Sequence, residues 1–175
     1  MSSAPILWLF GLPCSGKTTL AHALAAALQA DGKAVCRLDG DEMRSGVNAD
    51  LGFSENDRSE NLRRSAQFAK LVASQGLAVI ASFVTPMQKH REIVRGIIGP
   101  ENAMVFVDCP QNVCVERDVK GMYAKALRNE MQGMTGVQSS FEAPSEIDLT
   151  LHTERESIEE CVARLKERLK GQAMK

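Results

Sequence analysis

Residues 11–18 read Gly11-Leu12-Pro13-Cys14-Ser15-Gly16-Lys17-Thr18 and satisfy GxxxxGK[ST], a phosphate-wrapping pattern, at every specified position. Ahead of it, Ile6-Leu7-Trp8-Leu9-Phe10 is an apolar run of strand length, and behind it residues 19–28 are dense in helix formers. A strand, a glycine loop and a helix in this order turn successive backbone N–H groups around phosphate oxygens, and the helix adds the positive end of its dipole. Gly11, Leu12, Pro13, Cys14, Ser15, Gly16, Lys17, Thr18 and Thr19 are therefore the expected ATP contacts. Lys17 is placed to reach the β and γ phosphates and the Thr18 hydroxyl to hold Mg2+. An ordinary glycine turn before a core helix would not need Lys and Thr at these two positions.

With 175 residues and 44% hydrophobic content, the chain is expected to form one domain over 1–175 with a core that needs no staples. A net charge of −1 gives no basic excess for general binding to nucleic acid or to a membrane surface, so an anionic ligand must be met locally. The five cysteines have no CxxC spacing, which argues against a disulfide framework and a zinc site. The expected setting is the cytoplasm, since the N-terminus lacks a basic region and residues 6–10 are too short to cross a membrane.

Outward from the loop, residues 34–38 read as a second strand ending in Asp39-Gly40-Asp41. Carboxylates at the C-terminal end of such a strand lie where open parallel sheets bind ligands, which places Asp39 and Asp41 near the phosphates unless they merely form the turn. Residues 42–60 are polar and irregular, and they pass into a helix over 54–75 with Ser54 as its cap and Asp57 three residues on. Leu62, Ala66, Phe68 or Ala69, and Val72 can share its buried side. Arg58, Asn61, Arg63 and Arg64 occupy its early turns, where cations oppose the dipole and hint at an anionic ligand rather than a solvated face. Apolar runs at 76–82 and 103–108 and a fifth at 148–153, separated by helical patterns, predict parallel β-α-β units. The fold class is α/β: a three-layer P-loop NTPase-type fold with a five-stranded parallel sheet. Residues 118–146 break the pattern with glycines, cations and methionines, and are read as a mobile lid insertion rather than a padding hairpin. Residues 154–171 form a closing amphipathic helix. Most of the cysteines read as packing residues, but Cys14, close to a helix N-terminus, is placed where its thiolate would be favoured.

Several blocks together resemble adenylylsulfate kinases along nearly the whole chain. Besides the loop they are Leu38-Asp39-Gly40-Asp41 with Arg44 and Asn48, Asp50-Leu51-Gly52-Phe53-Ser54 through Asp57-Arg58, Asn61 and Arg63-Arg64, Ser82-Phe83-Val84-Thr85-Pro86, Arg117-Asp118-Val119-Lys120-Gly121-Met122-Tyr123, and Thr135-Gly136 through Glu142-Ala143-Pro144. The resemblance implies transfer of the ATP γ-phosphoryl group to the 3′-hydroxyl of adenosine 5′-phosphosulfate (APS). It implies catalytic roles for Lys17, Asp41, Ser82 and the lid residue Lys120, and Mg2+ contacts from Thr18 and Asp41. Asp39, Asp41, Arg44, Phe53, Arg58, Asn61, Ser82, Phe83, Val84, Lys120 and Phe141 are the implied substrate contacts, Phe53 and Phe141 sandwiching the adenine. Ser82 is similar to the serine to which a phosphoserine intermediate is ascribed in this family, although direct in-line transfer needs it only as a contact. The family often forms dimers, so the resemblance admits a homodimer, although the residues themselves do not reveal the oligomeric state. Met87-Gln88, Val119 and Met134 depart from the family's usual tyrosine-arginine, proline and phenylalanine. Such drift near the acceptor keeps open a kinase of the same fold acting on another nucleotide or polar acceptor, for example in surface-polysaccharide biosynthesis.

Overall fold

Every residue of Ile6–Phe10 is buried, which a strand achieves only between two covering layers. In the computed structural model, which describes residues 3–119, 121–130, 133–145 and 147–173, this segment is β1, the middle strand of a five-stranded sheet. The others are β2 (Val35–Asp39), β3 (Ala78–Phe83), β4 (Ala103–Asp108) and β5 (Leu149–His152). Their order is β2-β3-β1-β4-β5, with every pairing parallel, as expected from the alternation of strands and helices.

Side chains alternate across a strand, so β1 feeds two cores at once. Ile6, Trp8 and Phe10 join one cluster and Leu7 and Leu9 the other. The first core is closed by α3 (Glu55–Ser74) and α4 (Gln88–Ile98), the second by α1 (Lys17–Ala30) and α7 (Ile158–Ala173). On α3 the buried stripe is Leu62, Ala66, Ala69 and Ala73, small residues that let the helix approach the sheet closely, whereas Phe68 is turned outward. Its cap matches the sequence reading, Ser54 Oγ accepting from the Asp57 N–H at 3.1 Å.

Two local readings are corrected. Residues 42–45, expected as irregular chain, join Gly40 and Asp41 in the short helix α2 (Gly40–Ser45), started by the Asp39 side chain accepting from the Asp41 N–H. Only Met43 of α2 is buried, so apolar periodicity could not show it. The closing helix begins at Ile158 rather than 154, after a turn over 153–156. Beyond β4, α5 (Gln111–Arg117) and α6 (Met122–Leu127) build a third, smaller core, in which Cys109, Cys114, Tyr123, Ala126 and Met134 pack against Leu12 and Cys14 of the loop. No helix among the described residues is long and apolar enough to cross a membrane.

Candidate active site

Residues 11–16 leave the C-terminal end of β1, and glycine is required at both ends of this loop. A Cβ on Gly11 would lie 2.4 Å from the Val107 carbonyl oxygen, and Gly16, at φ +100°, caps α1 in the left-handed region. Lys17, 8% exposed, folds back over the loop and donates to the carbonyls of Gly11 at 3.0 Å and Leu12 at 2.6 Å. Burial pulls its pKa from 10.5 down to about 8, although Cys114, Cys14, Asp39 and Asp41 oppose the shift. Cys14, at φ +61°, packs against the third core.

The parallel register sets Asp39, the last residue of β2, beside Ser82 of β3. Asp39 Oδ2 accepts from Thr18 Oγ1 and from Ser82 Oγ, both at 2.9 Å, while Oδ1 accepts from the Asp41 N–H. Asp39 thus joins the loop helix, β3 and α2 through one carboxylate. Asp41, in the first turn of α2, faces the same cleft. The sequence-based assignment paired Thr18 with Asp41 as the metal contacts, but the hydroxyl of Thr18 meets Asp39.

The cleft has a volume of about 880 Å³ and extends from Lys17, Thr18 and Thr19 to a second wall built by Arg44, Phe53, Arg58 and Asn61. Phe53 is 60% exposed, and the guanidiniums of Arg44 and Arg58 lie 4.7 and 5.8 Å from its ring centre. Such guanidinium–ring approaches hold the face of the ring in place. Arg44 also donates to the Gly52 carbonyl at 2.8 Å and Arg58 to the Phe53 carbonyl at 3.0 Å. Burial lowers the pKa of both arginines, and in Arg44 the charge of Arg58 adds to the effect. Two desolvated cations flanking an exposed ring form a wall suited to an anionic aromatic ligand. Asn61 is buried, and its side-chain oxygen accepts from Asn48 at 2.9 Å.

The expected partner of Phe53 lies elsewhere. Phe141 stacks on Phe106 at 5.9 Å beneath the guanidinium of Arg91, outside the wall that Phe53 lines, while Gly133, Met134 and Thr135 of the same region border the cleft. Phe83 and Val84 line the cleft after Ser82. Lys120 lies outside the described residues.

Sequence reasoning missed the opposite end of the cleft. There Arg117 donates to Thr153 Oγ1 at 3.1 Å and to its carbonyl at 2.7 Å, and Thr153 Oγ1 donates to the Ser15 carbonyl at 2.8 Å. This links the phosphate loop to the exits of α5 and β5 beside Ile158 and Cys161 of α7. Arg117 had a signal, a cation just before the change of character at 118, whereas Thr153 had none.

Comparison with known proteins gives concordant results. The family model described as adenylylsulphate kinase matches residues 3–152. The chain is 47% identical to the adenylyl-sulfate kinase of Paraburkholderia xenovorans, covering 91% of this chain and 89% of that protein. It is also 47% identical to the adenylyl-sulfate kinase of Bacillus pumilus, covering 96% and 86%. The structure of the Mycobacterium tuberculosis APS kinase in complex with AMPPNP and APS superposes with a TM-score of 0.93 at 37% identity, covering 97% of this chain and 99% of that one.

Proposed function

Because the chain belongs to the adenylylsulfate kinase family, we propose that it transfers the γ-phosphoryl group of ATP to the 3′-hydroxyl of APS, releasing ADP and PAPS. The observation that carries this reading is the Asp39 cluster, which ties the phosphate-loop helix to the strand and helix facing the Arg44–Phe53–Arg58 wall across one cleft.

At the donor end, the backbone of Gly11 to Thr18 cradles the phosphates, and Lys17 swings from the Gly11 and Leu12 carbonyls to the β and γ oxygens. The purine lies toward Arg117 and Thr153. The hydroxyl of Thr18 and the carboxylates of Asp39 and Asp41 are hard oxygen donors at the phosphate end of the cleft, the set that suits Mg2+. When bound there, Mg2+ neutralises charge on the phosphates.

At the acceptor end, the adenine rests on Phe53, and Arg44 and Arg58 take the phosphosulfate oxygens. Asp41 orients the 3′-hydroxyl and accepts its proton as the oxygen forms a bond to the γ-phosphorus and the bond to the bridging oxygen breaks. Ser82 holds Asp39 in place and contacts substrate without a covalent step. Residues 118–146 act as a lid, with Lys120 supplying charge on closure.

The test is turnover of purified protein with ATP and Mg2+ against APS, AMP, adenosine and sugar hydroxyls, following ADP release and the phosphorylated product. APS is expected to be preferred by orders of magnitude. Equal turnover with an acceptor lacking the adenine or the phosphosulfate refutes the assignment.

A further inference from the structure

We infer that Tyr123 is a positioning residue for ATP, its hydroxyl holding the Pro13–Cys14 peptide of the phosphate loop in the orientation that presents the Cys14 N–H to the phosphates. The inference rests on the proposed reading of the cleft and deepens its donor end.

The loop opens with a β-turn. The Ser15 N–H donates to the Leu12 carbonyl at 3.2 Å, so Leu12-Pro13-Cys14-Ser15 is a closed four-residue turn with proline second. Cys14, the third residue, has φ +61°. Proline second and a positive φ third define the type II turn, whose third position favours glycine because an L side chain is crowded there. The type I turn keeps the closing bond, also accepts proline second, and gives the third residue a negative φ. The two forms differ by rotation of the central peptide, here the one between Pro13 and Cys14. Left to itself, a turn with cysteine third favours type I.

The fold supplies what cysteine lacks. The Tyr123 hydroxyl donates to the Pro13 carbonyl at 3.2 Å, both groups being buried. The tyrosine is itself fixed: its ring is fully buried among Cys109, Cys114, Ala126 and Met134. The Asp118 carboxylate accepts from the N–H groups of Tyr123 at 3.1 Å and Ala124 at 3.0 Å, which pins the start of α6. A trans peptide is planar, with its C=O and N–H pointing opposite ways. Holding the Pro13 carbonyl toward the third core therefore aims the Cys14 N–H at the cleft that Pro13 and Cys14 line. There it joins the backbone donors that wrap the phosphates. With the peptide rotated, the loop would turn a carbonyl oxygen toward the anion instead.

Without the hydroxyl, the ligand-free protein shifts toward the type I turn, and ATP has to draw the turn back. The apparent Kd then rises by the factor to which the competent form is depleted. Glycine at position 14 removes the crowding and keeps the turn type II unaided. The dependence on Tyr123 should vanish with it, whereas a general loss of packing in the third core bears no such relation to residue 14.

The experiment compares wild type, Y123F, C14G and C14G/Y123F by calorimetry with the ATP analogue AMPPNP and Mg2+, with a thermal melt of each. Y123F keeps the ring and is expected to raise the AMPPNP Kd about threefold to tenfold, the range set by one buried hydrogen bond. Its Tm should fall by no more than about 6 °C. In the C14G background the same change should alter the Kd by less than about twofold, a coupling that a double-mutant cycle reads directly. In turnover with ATP and APS, Y123F should leave the acceptor KM within about twofold of wild type, because the turn is not part of the acceptor wall. An unchanged Kd in Y123F overturns the inference, as does an equal rise in both backgrounds. A Y123F chain that no longer melts cooperatively also overturns it, since the hydroxyl would then be holding the third core and not the turn. If wild-type protein binds AMPPNP but turns over no APS, the substrate reading fails instead, while the calorimetric cycle still decides the role of Tyr123.

Discussion

Replacing Lys17 with Met should make the ligand-free protein more stable while abolishing most of its activity. The ammonium is 8% exposed, and its partners are the Gly11 and Leu12 carbonyls and, at 3.5 Å, the Ser15 hydroxyl. These neutral acceptors do not return the hydration that burial removes, and the pKa falls from 10.5 to about 8. At about 1.4 kcal/mol per unit, the depression corresponds to roughly 3 kcal/mol of stability withheld at neutral pH. Methionine keeps the unbranched stem and removes the ion. Each acceptor that loses a partner costs up to about 1 kcal/mol, and less where the loop faces the cleft and water can substitute. The net gain is about 1–2 kcal/mol, each kcal/mol raising Tm by about 2–4 °C in a chain of this size. The pH dependence follows from the direction of the shift. Below about pH 8 Lys17 is charged in both folded and unfolded chains, and the wild type bears the whole burial cost. Between about 8 and 10.5 the unfolded chain holds a proton that the folded one has lost, so wild-type stability rises relative to the variant and the difference closes. Turnover should fall at least about a hundredfold, because the charge that balances the transferring phosphoryl group is gone. Paired thermal melts across pH 7 to 10.5 and a coupled ADP-release assay supply the readings. A lower Tm for Lys17→Met at pH 7, or a Tm difference that does not narrow with rising pH, refutes the reasoning.

The two carboxylates at the end of β2 should separate by assay. Asp41→Asn is expected to leave melting and ATP affinity near wild type while losing most turnover, since an amide cannot take the hydroxyl's proton. Asp39→Asn should weaken Mg2+-dependent ATP binding, measured by calorimetry, because Thr18 and Ser82 share its Oδ2. Near-normal turnover in Asp41→Asn would move the proton-accepting role to Asp39. Phe53→Ala should raise the acceptor KM by an amount equivalent to about 1–3 kcal/mol of lost base stacking with little change in Tm, since the ring is 60% exposed. Phe141→Ala should do the reverse, lowering Tm because its ring packs on Phe106 and Arg91. An unchanged acceptor KM in folded Phe53→Ala removes the stacking surface from the proposal.

The amino-acid sequence alone determined what depends on near neighbours. Gly11, Gly16, Lys17 and Thr18 act within one turn of chain, so their spacing carries their geometry, and the fully apolar strands could only be buried between layers. Ser54 and Asp57 settled the start of α3 for the same local reason. Tertiary structure decided every partnership made across strands or over long spans of chain. Asp39 rather than Asp41 meets Thr18 because the β2–β3 register brings Asp39 beside Ser82. Met134 reaches the cleft while Phe141 turns to Phe106, and nothing in their local pattern distinguishes which of two apolar residues seven positions apart will do so. Thr153 joins Ser15 across 138 positions of chain, and Trp8 joins Thr85 across 77. Residues so distant in sequence are brought together by the order β2-β3-β1-β4-β5, which arises from packing helices on both faces of the sheet and leaves no periodic trace in the chain.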